Sequence, residues 1–125
     1  MVFTMDLAGN LPLTLPDEER NRWFWVLDTD MNAGTGMAWY DLGAEYEVNL
    51  HVQWDGFYVD VHDWNDNWTS VPDAATINGS TVTVRIPVSD LGGATRFDWM
   101  AAVEPFDRVG TRFDIAPNSG YAQLP

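Results

Sequence analysis

The chain has 125 residues, enough for one domain with a hydrophobic core of its own, and nineteen acidic residues against six arginines and no lysine give it a formal charge of −13. That balance works against nucleic acid or an anionic membrane surface as a partner and suits cations, neutral sugars or basic partners; a salt-adapted organism or a GC-rich genome would produce the same acidic, lysine-free surface. The absence of cysteine removes disulfides, thiolate metal sites and cysteine nucleophiles.

The N-terminal Met1-Val2-Phe3-Thr4-Met5-Asp6 has neither a basic region nor a long apolar stretch, and no apolar run anywhere is long enough to cross a bilayer. No membrane insertion is expected, and the chain reads either as a module of a longer secreted or cell-surface protein or as a cytoplasmic one. Leu11 to Leu15 is broken by Pro12 and Pro16 and can only be an edge or a loop, with Asp17-Glu18-Glu19-Arg20 as a polar connector. Trp23-Phe24-Trp25-Val26-Leu27 is apolar on both faces, which predicts a central strand covered from both sides.

That strand releases into Asp28-Thr29-Asp30-Met31-Asn32-Ala33-Gly34-Thr35-Gly36. Next, Tyr46, Val48, Leu50, Val52 and Trp54 keep one face while Glu47, Asn49, His51 and Gln53 keep the other, the alternation of a half-buried strand. Asp55-Gly56 predicts a two-residue hairpin turn, after which Phe57, Val59 and Val61 resume the apolar face. Asn78-Gly79 predicts a second tight turn between Ala75-Thr76-Ile77 and a strand from Ser80 to Val88 that points Val82, Val84, Ile86 and Val88 inward. Ser89 to Gly93 reads as one helical turn capped by glycine, and Phe97, Trp99, Ala101 and Val103 mark a last strand. Seven to nine short strands without a helix predict a single antiparallel β-sandwich over residues 1–125, jelly-roll or immunoglobulin-like, with an open β-barrel as the alternative.

Three groups of residues suggest chemistry. Asp28, Asp30 and Asn32, with Asp41 and Glu45 around the next turn and Asp114 near the C-terminus, offer hard oxygens of the kind Ca²⁺ requires; the same stretch also reads as an Asx-rich turn whose side chains accept backbone hydrogen bonds. The Asp55-Gly56 turn would pair Trp54 with Phe57, His51 with Asp60 and Asn49 with His62. That register puts His51, Asp60 and His62 on one face as an alternative transition-metal set, or leaves them as members of an ordinary solvated face. Trp64-Asn65-Asp66-Asn67-Trp68, with Trp39 and Tyr58, combines flat rings with amides and carboxylates, the pairing that binds sugars; Trp64 and Trp68 would equally serve as a lid over the core. No nucleophile elbow, phosphate-binding glycine loop or cleft-spanning acid pair singles itself out, so catalysis has no support.

The strand ending in Asp28-Thr29-Asp30 with Asn32 and Thr35-Gly36, then Gly43-Ala44-Glu45-Tyr46, then Thr81 to Leu91, and lastly Asp114-Ile115-Ala116-Pro117-Asn118-Ser119-Gly120 resemble the β-sandwich modules grouped as DOMON domains and family 9 carbohydrate-binding modules. The resemblance implies a non-catalytic sandwich that binds a sugar or a haem, often with structural calcium, as an appendage of an enzyme or surface protein. Haem-binding members use an axial Met and His, for which Met100 and His62 or His51 are available here, but no spacing brings them together, and haem or zinc is not the favoured reading. The expectation is an extracellular or cell-surface accessory module that binds polysaccharide or cell-surface glycan through Trp64, Trp68, Tyr58, Trp39, Asn65 and Asn67, with calcium near Asp28. The alternatives are a structural or adhesive domain without a small ligand, and a metal or haem protein using His51, His62 and Asp60.

Overall fold

The computed structural model describes residues 1–17, 19–107, 110–111, 114–117, 120 and 122–124; Glu18, Asn118 and Ser119, named above, lie outside the described residues. In chain order the strands are β1 (Val2–Asp6), β2 (Arg20–Asp28), β3 (Met37–Trp39), β4 (Leu42–Ala44), β5 (Tyr46–Gln53), β6 (Gly56–Asp63), β7 (Trp68–Ser70), β8 (Ala75–Asn78), β9 (Thr81–Arg85), β10 (Phe97–Asp107), β11 (Gly110–Thr111), β12 (Asp114–Ala116) and β13 (Ala122–Leu124). A three-stranded sheet runs β1-β9-β8, and a larger one runs β11-β10-β2-β5-β6-β7, with β12 and β13 taking other stretches of the same β10 edge as β11. All pairings are antiparallel and neither sheet closes on itself, so the chain is an all-β sandwich.

The small sheet covers one face of the large one. Phe3, Val82 and Val84 from the small sheet meet Trp23, Trp25, Leu27, Val48, Leu50, Val52, Val59, Val61, Phe97 and Ala101 from the large one in a single core. Phe3 sits between two aromatic neighbours, its ring centroid 5.5 Å from Trp25 and 6.1 Å from Phe97. The opposite face of β2 is also covered, as its unbroken apolar run predicts: Phe24 and Val26 join Met100 and Ala102 under Leu42 and Ala44 of the β3–β4 hairpin. That hairpin and β1 carried no alternation long enough to be foreseen. The helical turn is a 3-10 turn at Val88–Leu91 closed by Gly92 in the left-handed region, as the glycines predict.

The β5–β6 register differs from the expectation. Gln53 pairs with Gly56, Val52 with Phe57, His51 with Tyr58, Asn49 with Asp60 and Glu47 with His62, so the turn is Trp54-Asp55. Gly56 supplies a φ of 132° at the first position of β6, a conformation open to glycine, while Trp54 and Asp55 keep ordinary negative φ. Each partner moves by two residues, and because side chains alternate with period two the faces survive the change. Trp54 leaves the apolar face for the exposed turn. The β8–β9 turn is likewise displaced, to Gly79-Ser80.

Candidate functional site

Where the β3–β4 hairpin stops, the outer face of the large sheet becomes polar. Alternation along β2, β5, β6 and β10 sends Arg22, Glu47, Asn49, His51, Tyr58, Asp60, His62 and Glu104 to this side. Four of them, Glu47, Asn49, Asp60 and Glu104, are more than nine-tenths buried, so the face is not the solvated strand surface that its composition suggests. Burial of this kind requires partners, and they are present. Arg22 donates from Nε to Glu104 Oε2 at 2.9 Å and from Nη1 to Glu47 Oε2 at 3.1 Å and Asn49 Oδ1 at 3.2 Å, and its Nη2 lies 2.7 Å from Glu104 Oε2. Its guanidinium carbon lies 4.0 Å from the centroid of the Phe24 ring, a cation–π contact. Asn49 Nδ2 donates to Asp60 Oδ1 at 3.0 Å, and Trp39 Nε1 to Glu47 Oε1 at 2.8 Å.

Both histidines belong to this network, each stacked on an aromatic ring. His51 lies on Tyr58 with centroids 4.6 Å apart at 12°, and its buried Nε2 stands 3.0 Å from Asp60 Oδ2 without hydrogen-bond alignment. His62 lies on Trp68 at 3.9 Å and 8°, with Nδ1 3.5 Å from Glu47 and Nε2 3.0 Å from Asp66. The transition-metal expectation loses its geometry here: His51 reaches Asp60, but His62 turns to Glu47 and Asp66, and the three do not converge on one point among the described residues.

The predicted aromatic residues divide into two groups. Tyr58 and Trp68 stand on this face 44% and 53% exposed, separated by the four-residue step from Tyr58 to its neighbour His62, about 13 Å along the strand. Trp64 is also exposed, in the β6–β7 turn, while Trp39 is half-buried, its ring 5.3 Å from Phe24 at 60° and its N–H given to Glu47; it is a cover of the face and not a displayed platform. Asn65 and Asn67 are exposed in that turn, but both donate backbone N–H groups to Asp63 Oδ1, and Asn67 Nδ2 bonds the same carboxylate. The Asn67 bonds come first among the causes that hold the Asp63 carboxyl below its ordinary value. Sequence reasoning missed Arg22, Glu47, Asn49 and Glu104. The alternation already assigned Glu47 and Asn49 to this face; Arg22 was hidden because β2 reads as apolar on both sides.

The second candidate lies at the end of β2. Asp28, Asp30 and Glu45 bring one carboxylate oxygen each within 4.8 Å of one another, a group that could hold a metal ion. Asp28 is buried, accepts from the Asn32 N–H at 3.1 Å and faces the Gly43 N–H at 3.4 Å; Asp30 accepts from the same Asn32 N–H and from Thr35 Oγ1; Glu45 accepts from the Thr29 N–H at 2.7 Å. Burial pushes the Asp28 carboxyl above its ordinary value, the Asn32 and Gly43 N–H groups pull it back, and the Glu45 charge and a shared hydrogen bond with Asp30 push it up again. No ion pair joins these three acids to a base among the described residues.

The structure does not gather all the residues first grouped here. Glu45 joins Asp28 and Asp30, whereas Asn32 spends its side-chain oxygen on the Gly34 N–H and Asp41 is exposed in the β3–β4 turn. Asp114 pairs with Val103, five residues along β10 from Asp98, the partner of Asp28, and so lies about 16 Å away along the sheet. Two glycines lock the loop against the hairpin: a Cβ on Gly43 would collide with the carbonyl oxygens of Thr35 and Asn32, and one on Gly36 with that of Ala44. No family model, curated protein or solved structure matches this chain.

Proposed function

We propose that the domain is a non-catalytic accessory module of a secreted or cell-surface protein that binds carbohydrate on the outer face of its large sheet. The observation that carries this reading is a buried, hydrogen-bonded group of carboxylate, amide and guanidinium side chains with half-exposed Tyr58 and Trp68 rings at its two ends. Flat rings stack on the apolar faces of pyranoses and exposed amides and carboxylates such as those of Asn65 and Asp66 bind hydroxyls, while the buried network beneath holds the face rigid. A sandwich is also the fold that the DOMON-like and family 9-like resemblance implies. Titration calorimetry against a panel of soluble polysaccharides tests the reading. Binding that Trp68→Ala and Tyr58→Ala each weaken about tenfold without loss of fold, the size expected for losing one stacking ring, supports it; heat signals identical to those of the unmodified domain would sink it.

Calcium at Asp28, Asp30 and Glu45 is the second part of the proposal, supported by the convergence of three carboxylates that no base pairs among the described residues. Ca²⁺ would take those oxygens together with others from the loop and offset both the desolvation of the buried Asp28 charge and its repulsion by Glu45. Thermal unfolding in excess Ca²⁺ and then in chelator decides it: an ion site raises the midpoint by several degrees, equivalent to about 1 kcal/mol or more of linked binding, and Asp30→Ala removes the rise. Equal midpoints in the two buffers would reduce the loop to an Asx turn.

A further inference from the structure

We infer that the outer face binds the interior of an extended, linear polysaccharide laid obliquely across β7, β6 and the end of β5, with Trp54 as a third stacking ring; this rests on the carbohydrate reading above. Trp68 pairs directly with His62, and Tyr58 with His51. In each pair the imidazole lies flat on one face of the aromatic ring, with centroids 3.9 Å and 4.6 Å apart, and leaves the other face open. Both rings stand one strand outward from their histidine in the order β5-β6-β7, so their open faces are turned to the same side. Rings aligned in this way can carry separate units of one chain.

The β5–β6 turn continues the line. Trp54 stands one residue beyond the Gln53–Gly56 pair, about 10 Å along the strands from Tyr58 on the side away from Trp68, and is 62% exposed. It lines an open depression of about 210 Å³ with Asp17, Glu19, Arg20 and Gln53. Alternation puts Arg20 on the face of Arg22, and Gln53 on the face of His51, so this depression belongs to the outer side. From Trp68 on β7 through Tyr58 on β6 to Trp54 at the end of β5, each step runs along the strands and also across them. The three rings therefore fall on one oblique line that covers about 23 Å in the strand direction.

Hydrogen-bonding groups occupy the gaps. Exposed Ser70, opposite Asp60, lies between Trp68 and Tyr58, while Arg20 and Gln53 stand level with the gap between Tyr58 and Trp54. Arg20 is exposed and joins no ion pair among the described residues, so its guanidinium is open to sugar oxygens. A chain end is held by a concave site that surrounds the terminal unit. Rings spaced along an open face reward length instead, because each further unit adds an intramolecular contact.

The test is titration calorimetry with soluble linear glucans, xylans and mannans and with their oligomers from disaccharide to octasaccharide, each oligomer also with its terminal sugar reduced to the alditol. Affinity is expected to climb with oligomer length, to level off only once the chain spans the rings, and to be unchanged by reduction of the terminus. Trp54→Ala should weaken the polymer and the longest oligomers about tenfold and move the plateau to a shorter oligomer, whereas Trp54→Phe, which keeps a flat ring, retains most of the affinity. Circular dichroism checks that both variants keep the fold. Affinity already maximal at the disaccharide, binding lost on reduction of the terminus, or polymer binding indifferent to Trp54→Ala each overturns the inference while leaving the carbohydrate reading intact. Binding of none of the polymers or oligomers defeats both.

Discussion

On the inner face of the large sheet, Trp23, Trp25 and Leu27 of β2 and Val48, Leu50 and Val52 of β5 meet the small sheet in an apolar core. On the outer face, the intervening residues of the same strands include Arg22, Glu47 and Asn49, which bury polar groups against one another. The inner face draws its stability from area removed from water and is indifferent to direction; the outer face must satisfy each donor and acceptor and is held by geometry. A fold that needed only to be stable would gain little from the outer arrangement, since buried ion pairs are often matched by apolar residues of the same volume. The polar arrangement does place fixed hydrogen-bonding groups beside Tyr58 and Trp68.

The comparison breaks most severely with Trp25→Ala. Deleting a fully buried indole from the inner core is expected to cost about 3–5 kcal/mol, read as a large fall in denaturant midpoint or loss of a cooperative transition. Next is Arg22→Met, expected to cost about 3 kcal/mol because Glu47 and Glu104 lose their cation while remaining buried. If the two faces differ as described, adding Glu47→Gln and Glu104→Gln to Arg22→Met restores much of that loss, whereas no second polar change rescues Trp25→Ala. A triple variant no more stable than Arg22→Met would mean that the network is not held by charge.

A smaller effect is expected at the acidic loop. The native Asp28 carboxyl lies above its ordinary value, so the folded state holds that proton more tightly than the unfolded chain. Without metal, the stability it contributes is fully present below the unfolded value and is lost as pH rises through the raised native one. Asp63 has the opposite sign, contributing stability above the unfolded value that is lost as pH falls through its lowered native one. Denaturant midpoints measured in chelator across the carboxylate range should therefore show a falling Asp28 component that Asp28→Asn flattens; unchanged curvature in that variant would refute the assignment. The smallest stability effect belongs to Trp68→Ala, within about 0.5 kcal/mol because the ring is half-exposed at a sheet edge. A much larger loss would make Trp68 a structural cover.

Much of this was legible beforehand. Alternation identified the faces of β5, β6, β9 and β10, and the unbroken apolar run of β2 announced a strand covered on both sides. The β5–β6 register escaped because Asp55-Gly56 looks like a turn, yet Gly56 is more useful as the first residue of β6. Even so, His51 and Asp60 still meet, diagonally instead of directly opposite, since a two-residue displacement preserves the face. The Arg22 network was invisible for another reason: its partners come from positions 22, 47, 49 and 104, and only the pairing order β10-β2-β5 brings them together. Asp114 was misplaced because proximity to the C-terminus carries no information about which stretch of β10 a tail strand will take.

The contacts at Gly36 and Gly43 have a mechanical meaning. Where two segments touch through side chains, rotamer changes can absorb a displacement; where main chain meets main chain, as the acidic loop meets the β3–β4 hairpin, nothing soft lies between them. The hairpin ends in Trp39, whose indole N–H holds Glu47. Loop, hairpin and indole thus form one stiff arm, anchored at three carboxylates and resting its far end on the polar face.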